Sequence, residues 1–299
     1  MTTRNLSRWT VAATLILVAF GGFTRGSGSG FGCADRWPLC EDGLFGGLLP
    51  RADFHMIVEW THRWLAVLVG VLAVATAVIA WRRVERWIAW VAISTVLVIG
   101  IQAWVGRLVV VGHLDADLVS LHLVISMTVA ALLTVIVVAT TPGSGTRRDR
   151  SWTYRFGIGA AVAFAVLLLG SLVHNLYIPG WPLVSNELLP SLSNRYVALH
   201  YFHRVTAAGG LVFLSWLAIR AQRDQRPDLE RWVLWVGLGA YALSVGLGAA
   251  HVFTKVMWSG LVAAHLAAAS IVWVAMVGTT ASAAGLGARR ATSRRLTLF

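Results

Sequence analysis

Glu59-Trp60-Thr61-His62-Arg63 opens a stretch that runs from Trp64 to Trp81 without a charged residue and closes on Arg82-Arg83. A helix rising about 1.5 Å per residue needs about 20 apolar residues to cross a hydrocarbon core of about 30 Å, so this stretch suffices to span a bilayer. It places an acid, an imidazole and a guanidinium at one mouth and two arginines at the other. Apolar runs of similar length on both sides of it predict helices near 9–24, 58–81, 86–106, 117–140, 155–174, 196–220, 231–250 and 257–280.

Composition agrees with a bilayer as solvent. Only 13% of the 299 residues are charged, against about 25% in soluble proteins, and mean hydropathy is +0.71. The short alternating strands of a closed barrel are not seen. A net charge of +12 would suit a nucleic-acid binder, but the arginines cluster between apolar runs rather than along a polar face, so no nucleic acid is expected. Arg4/Arg8, Arg82/Arg83/Arg86, Arg147/Arg148/Arg150, Arg220/Arg223/Arg226 and Arg289/Arg290 fall on one side. The alternate segments carry fewer: Arg25, Arg36, Arg51, Arg107, Arg195 and Lys255. Positively charged loops stay inside, which predicts a multi-pass protein of the cell membrane with both termini cytoplasmic. The first run has Arg4 and Arg8 ahead of it, as a signal peptide would. Thr24 to Gly30 lacks an Ala-x-Ala cleavage pattern, however, and the run is read as the first span.

The pattern repeats at an offset near half the chain. Trp37-Pro38-Leu39-Cys40 returns as Trp181-Pro182-Leu183-Val184, and Glu59-Trp60-Thr61-His62-Arg63 as His200-Tyr201-Phe202-His203-Arg204. Gly106 followed by Leu121-His122-Leu123 returns as Gly248 followed by Ala264-His265-Leu266. The expected fold class is an all-α membrane protein of eight transmembrane helices, built as two tandem pseudo-symmetric four-helix bundles. The halves are 1–142 and 151–284, joined by a Pro-Gly-Ser and basic linker and followed by a basic cytoplasmic tail, 285–299. Four helices per half is an even number, so both halves share one orientation, and a site made by one is expected in the other at the same depth.

His62, His122, His203 and His265 each lie one or two turns inside the external end of an even-numbered helix. Ionisable groups there are costly and are read as functional. Facing imidazoles on packed helices grip haem iron from both sides; interhelical hydrogen bonding is the alternative for any one of them. Zinc or copper fits less well, because neither half supplies third and fourth ligands. His55, His113, His174 and His251 lie near helix ends and read as interface residues.

Glu59 is about one turn before His62 on the same face, so its chemistry reaches whatever His62 holds. In the second half its place is taken by His200. The plainer readings of Glu59 are a carboxylate favoured by the helix dipole or a partner of Arg63. Arg25, Arg63, Arg107 and Arg204 are candidates for binding haem propionates, with snorkelling as the alternative. Cys33 and Cys40, the two cysteines of the chain, fall in the first external loop, where an oxidising compartment permits a disulfide. Two free thiols or a partial metal site are the alternatives.

Gly21 to Gly30, Cys33 with Trp37-Pro38-Leu39-Cys40, Glu59 to Arg63, His122, His200 to Arg204 and His265 together resemble the heme A synthase family, across essentially the whole chain. The cysteine loop followed by the Glu-x-x-His-Arg helix is the specific part. The resemblance implies an oxidoreductase that oxidises the C8 methyl of haem O to the formyl group of haem A, through successive hydroxylations ending in a geminal diol that loses water. It implies haem O as substrate and haem A as product at His62 and His122, haem b as cofactor at His203 and His265, and Glu59 as the catalytic group. Implied partners are a haem O synthase delivering substrate, cytochrome oxidase assembly factors, an electron acceptor and membrane lipid. Many bacterial relatives carry a second cysteine pair in the second half. Here Val184 follows Trp181-Pro182-Leu183, so redox cysteines in both halves are not expected. A non-catalytic dihaem cytochrome b, an electron-transfer subunit, shares the four histidines and is the alternative, but it has no use for Glu59 and the cysteine loop. A tandem-repeat transporter would line a midplane pathway with ionisable groups, and no such run occurs.

Overall fold

The computed structural model describes residues 2–143, 148–173, 177–255 and 258–287; His174, Arg147 and the tail beyond 287 lie outside the described residues. Among the described residues the regular elements are helices: α1 (Thr3–Gly26), α2 (Leu44–Gly47), α3 (Phe54–Arg83), α4 (Arg86–Val111), α5 (Ala116–Thr140), α6 (Arg150–Val173), α7 (Arg195–Arg223), α8 (Asp228–Phe253) and α9 (Ser259–Ala283). All except α2 are long and apolar enough to cross a membrane, which makes the eight expected spans. In α2, Phe45 and Gly46 hold φ of 51° and 69°, so this turn belongs to the loop.

The helices run past the apolar stretches that signal them, because polar residues cap their ends. Asp53 accepts from the Met56 amide, Asp115 from the Asp117 and Leu118 amides, and Asn194 from the Tyr196 amide. These bonds satisfy orphan donors of the first turn. Arg82 and Arg83 end α3, and Arg220 and Arg223 end α7, where the helix dipole favours cations.

In packing, α1 contacts α3 and α5, α3 contacts α4, and α4 contacts α5; likewise α6 contacts α7 and α9, α7 contacts α8, and α8 contacts α9. The two sets meet through α1–α9, α5–α9 and α5–α6. Lipid gives no hydrophobic push between helices, so small residues and interhelical hydrogen bonds hold them. Ala77, Ala80, Ala89 and Ala92 let α3 and α4 approach closely. The Trp273 indole donates to the Met127 carbonyl at 2.8 Å, and the Ser171 hydroxyl donates to that of Ser120 at 2.6 Å. Val18, Met127 and Leu167 form the apolar seam between the sets, with Leu123 and Leu266 packed on it.

A buried ionic cluster closes the end that carries the linker. Arg226 donates to Glu230 at 2.8 Å and to Asp149 at 2.9 Å, and the Ser282 hydroxyl donates to Glu230 at 2.8 Å. The Asp149 amide bonds the Ala283 carbonyl at 2.9 Å. The start of α6, the α7–α8 turn and the end of α9 are thereby tied together. The Glu230 side chain is 1% exposed, and removing one partner of a buried pair costs about 3–5 kcal/mol. Glu230→Ala is therefore expected to destabilise the chain by about 3 kcal/mol, read as a lower thermal midpoint in detergent; an unchanged midpoint would show that Asp149 alone neutralises Arg226.

Candidate functional site

A cavity of about 1160 Å³ opens in the interior and is lined by residues of all eight long helices, including His62, His122, His203 and His265. Its volume exceeds the roughly 300–1,000 Å³ of ordinary small-molecule sites. His62 and His122 are close enough to interact electrostatically, as are His203 and His265. The histidines thus fall into pairs, one contributed by α3 and α5, the other by α7 and α9, and both pairs face one space.

Each of the four rings is seated on a glycine of a neighbouring helix. A methyl placed on Gly21 would lie 3.1 Å from Cε1 of His62, on Gly106 3.1 Å from His122, on Gly170 3.0 Å from His203, and on Gly248 3.4 Å from His265. Glycine inside a helix costs about 1 kcal/mol against alanine, and here it lets an imidazole approach bare backbone. His265 is further fixed by its Nδ1, which donates to the Ser244 carbonyl at 2.9 Å and leaves Nε2 for a ligand. Nδ1 of His62, of His122 and of His203 is buried without a hydrogen bond among the described residues, with the Val166 backbone the polar neighbour of His203.

This donor set fits haem. Bis-histidine ligation asks for two imidazoles on either side of a flat apolar ring, and each pair contributes two imidazoles to the lining of one largely apolar cavity. A naked metal ion asks for three or four converging ligands, and among the described residues no three His, Cys, Asp or Glu side chains form such a group.

Glu59 is 3% exposed and lines the cavity. Its Oε2 accepts from the Cys33 amide at 2.7 Å, and its Oε1 pairs with Nη2 of Arg63 at 2.5 Å. Cys33 and Cys40 form a disulfide, so the carboxylate is bonded to the cysteine loop itself. Gly32 lets that loop run against the start of α3: a Cβ there would stand 2.2 Å from the His55 carbonyl oxygen. His55 also bonds the Ser29 hydroxyl at 3.0 Å, and His113 meets Phe31 with ring centroids 5.6 Å apart.

The four candidate arginines differ in their surroundings. Arg63 donates to the carbonyls of Arg36, Pro38 and Leu39 at 2.9, 3.1 and 3.0 Å. Arg204 does the same to Gly180, Leu183 and Ile178. Both side chains hold the Trp-Pro-Leu loops, whose Trp37–Pro38 and Trp181–Pro182 peptides are cis, against the cavity mouth. Arg25 also lines the cavity. Arg107 stacks over Trp104 at 5.4 Å and is not part of the lining.

Two histidines belong to the site beyond the four. His200 is buried and lines the cavity. His251, expected at an interface, lines it too and meets His265 edge-on at 5.5 Å. Its repeat counterpart, by the offset that relates Gly106 to Gly248, is Val109, another lining residue, but a valine near a helix end carries no signal of a site in the sequence.

Fold and site together define a polytopic helical membrane protein with two histidine pairs around one apolar cavity. Residues 4–277 match the COX15-CtaA family, described as cytochrome oxidase assembly protein, and the chain belongs to that family. Among curated proteins it is 30% identical to the heme A synthase of Symbiobacterium thermophilum, over 87% of this chain and 90% of that one. It is 30% identical to the heme A synthase of Alkalihalophilus pseudofirmus, over 82% and 86% of the two chains. With the heme A synthase of Bacillus licheniformis the identity is 26%, over 84% and 86%.

Proposed function

We propose that this chain is a heme A synthase that oxidises the C8 methyl of haem O to the formyl group of haem A. The observation that carries the reading is two matched histidine pairs on one cavity, with a buried acid one turn from the histidine of the first pair only: Glu59 precedes His62, and buried His200 holds the matching place before His203. We place haem O at His62 and His122, where Glu59 stands, and a resident haem b at His203 and His265, where His200 takes the place of the acid. Haem b supplies a route for electrons when bound. Glu59 acts at the reacting edge, as a proton acceptor or as an anion opposite positive character at the oxidised carbon. Arg63 holds it in place, and the disulfide loop covers the site from water.

The helix contacts are read as two four-helix bundles, 1–142 and 151–284, related by pseudo-symmetry and followed by a cytoplasmic tail. Supporting this, the four ring-on-glycine seats, the two arginine-held loops and the two cis Trp-Pro peptides recur in matching places. We read both termini as cytoplasmic and the membrane as the plasma membrane, a reading that the arginine-rich ends support. Arg25, Arg63 and Arg204 all line the cavity at the loop end and stay propionate candidates, whereas Arg107 lies outside the lining. A haem O synthase, cytochrome oxidase assembly factors and an electron acceptor complete the setting.

The reading is tested by incubating the purified chain with haem O and an artificial electron acceptor and analysing the haems by mass. The hydroxymethyl and formyl products are expected. Unaltered haem O beside a full haem b spectrum would favour an electron-transfer cytochrome instead. A second test uses the seats. Gly170→Ala pushes a methyl to 3.0 Å from His203 and is expected to shift the haem b electron-spin signature, whereas Gly248→Ala, with 3.4 Å of clearance, leaves it nearly unchanged. Identical signatures in both variants would remove the seats from the account.

A further inference from the structure

We propose that the two halves tell a tailed haem from an untailed one by the bulk beneath the ring: Gly70 and Gly100 leave a channel in the first half, and Tyr241 with Leu211 closes that level in the second. The inference rests on haem O as substrate and haem b as cofactor, and it explains why each would go to its own half.

Haem O differs from haem b by a long isoprenoid tail on the ring edge opposite the propionates. With the propionate edge toward the loop end, where Arg25 stands, the tail points down between the helices. Gly70 lies eight residues beyond His62, which is about 12 Å deeper along α3. Gly100 lies six residues before Gly106, about 9 Å deeper along α4. Both line the cavity, and a Cβ added to either meets nothing within 4 Å. Ala66 and Ala103 continue this small-sided wall.

At the level of Gly70 the second half carries larger side chains on its cavity wall, while Ala242 stands opposite Gly100. The offset that places His203 opposite His62 places Leu211 opposite Gly70, and the offset relating Gly248 to Gly106 places Tyr241 opposite Ile99. Tyr241 is 4% exposed, and its hydroxyl donates to the Ala207 carbonyl at 2.9 Å, bridging α8 to α7. A Cβ on Gly210 would stand 2.3 Å from that hydroxyl, so the tyrosine takes the space the glycine leaves. Swinging it aside would strand a buried donor.

The full-length chain, purified with its haem b, is titrated with haem O, and the bound haems are extracted and counted. Wild type is expected to take one haem O per chain. Gly70→Leu is expected to weaken haem O binding at least about tenfold, equivalent to two buried methylenes of the tail, with haem b unchanged. Tyr241→Ala, produced with haem O in excess, is expected to hold more than one haem O per chain, and Tyr241→Phe, which keeps the ring, is not. Wild-type haem O affinity in Gly70→Leu, or exclusion of a second haem O from Tyr241→Ala, overturns the inference alone. A wild-type chain that binds no haem O overturns the substrate reading and the inference with it.

Discussion

Glu59→Gln is expected to keep haem b and the folded loop while lowering oxidation of haem O by about 100-fold or more, the scale of a lost general base. The substitution is close to isosteric, and the amide oxygen still accepts from the Cys33 amide that now bonds Oε2 at 2.7 Å. Arg63 loses its charge partner but keeps three carbonyl acceptors, so the loop stays fastened. What disappears is the negative charge and the proton acceptor at the cavity wall. Product formation measured beside the haem b spectrum separates this from misfolding. Turnover at the wild-type rate would reduce Glu59 to a strut of the cysteine loop.

His265→Ala is expected to leave the purified chain without haem b and without turnover, while haem O still binds at His62 and His122. An axial ligand cannot be supplied from elsewhere at this position, since His265 is seated on Gly248 and fixed through Nδ1 by the Ser244 carbonyl. His251 meets it edge-on at 5.5 Å but is carried on a different helix. His62→Ala is expected to show the reverse, haem b retained and haem O lost. Extracted haem, quantified from both variants, decides: equal loss of a single haem from both would mean that one haem is shared between the pairs.

The eight spans were legible because a bilayer excludes charge, so the apolar runs announce themselves. Their ends were not, because capping residues such as Asp53 and Asn194 and dipole-favoured arginines lie outside any apolar window. The repeat singled out His62, His122, His203 and His265, since like residues recurred at a nearly constant offset, and Glu59 stood out for the opposite reason, because His200 takes its place in the second half. The partners of Arg63 and Arg204 were invisible in the sequence for a physical reason: they are backbone carbonyls, which every residue offers. The ring seats were equally hidden, because Gly21, Gly106, Gly170 and Gly248 look like the ordinary glycines of membrane helices. His251 was set aside for lying at a helix end, and its repeat counterpart Val109, a plain apolar residue, gave no sign that the position faces the cavity.

The most direct measurement is mass analysis of haem extracted from cells that make haem O but lack haem A, with and without this chain expressed. Haem A or its hydroxylated precursor, present only when the chain is expressed and absent with Glu59→Gln, is the predicted result. Haem O unchanged in cells that hold the folded, haem b-loaded chain would contradict the account.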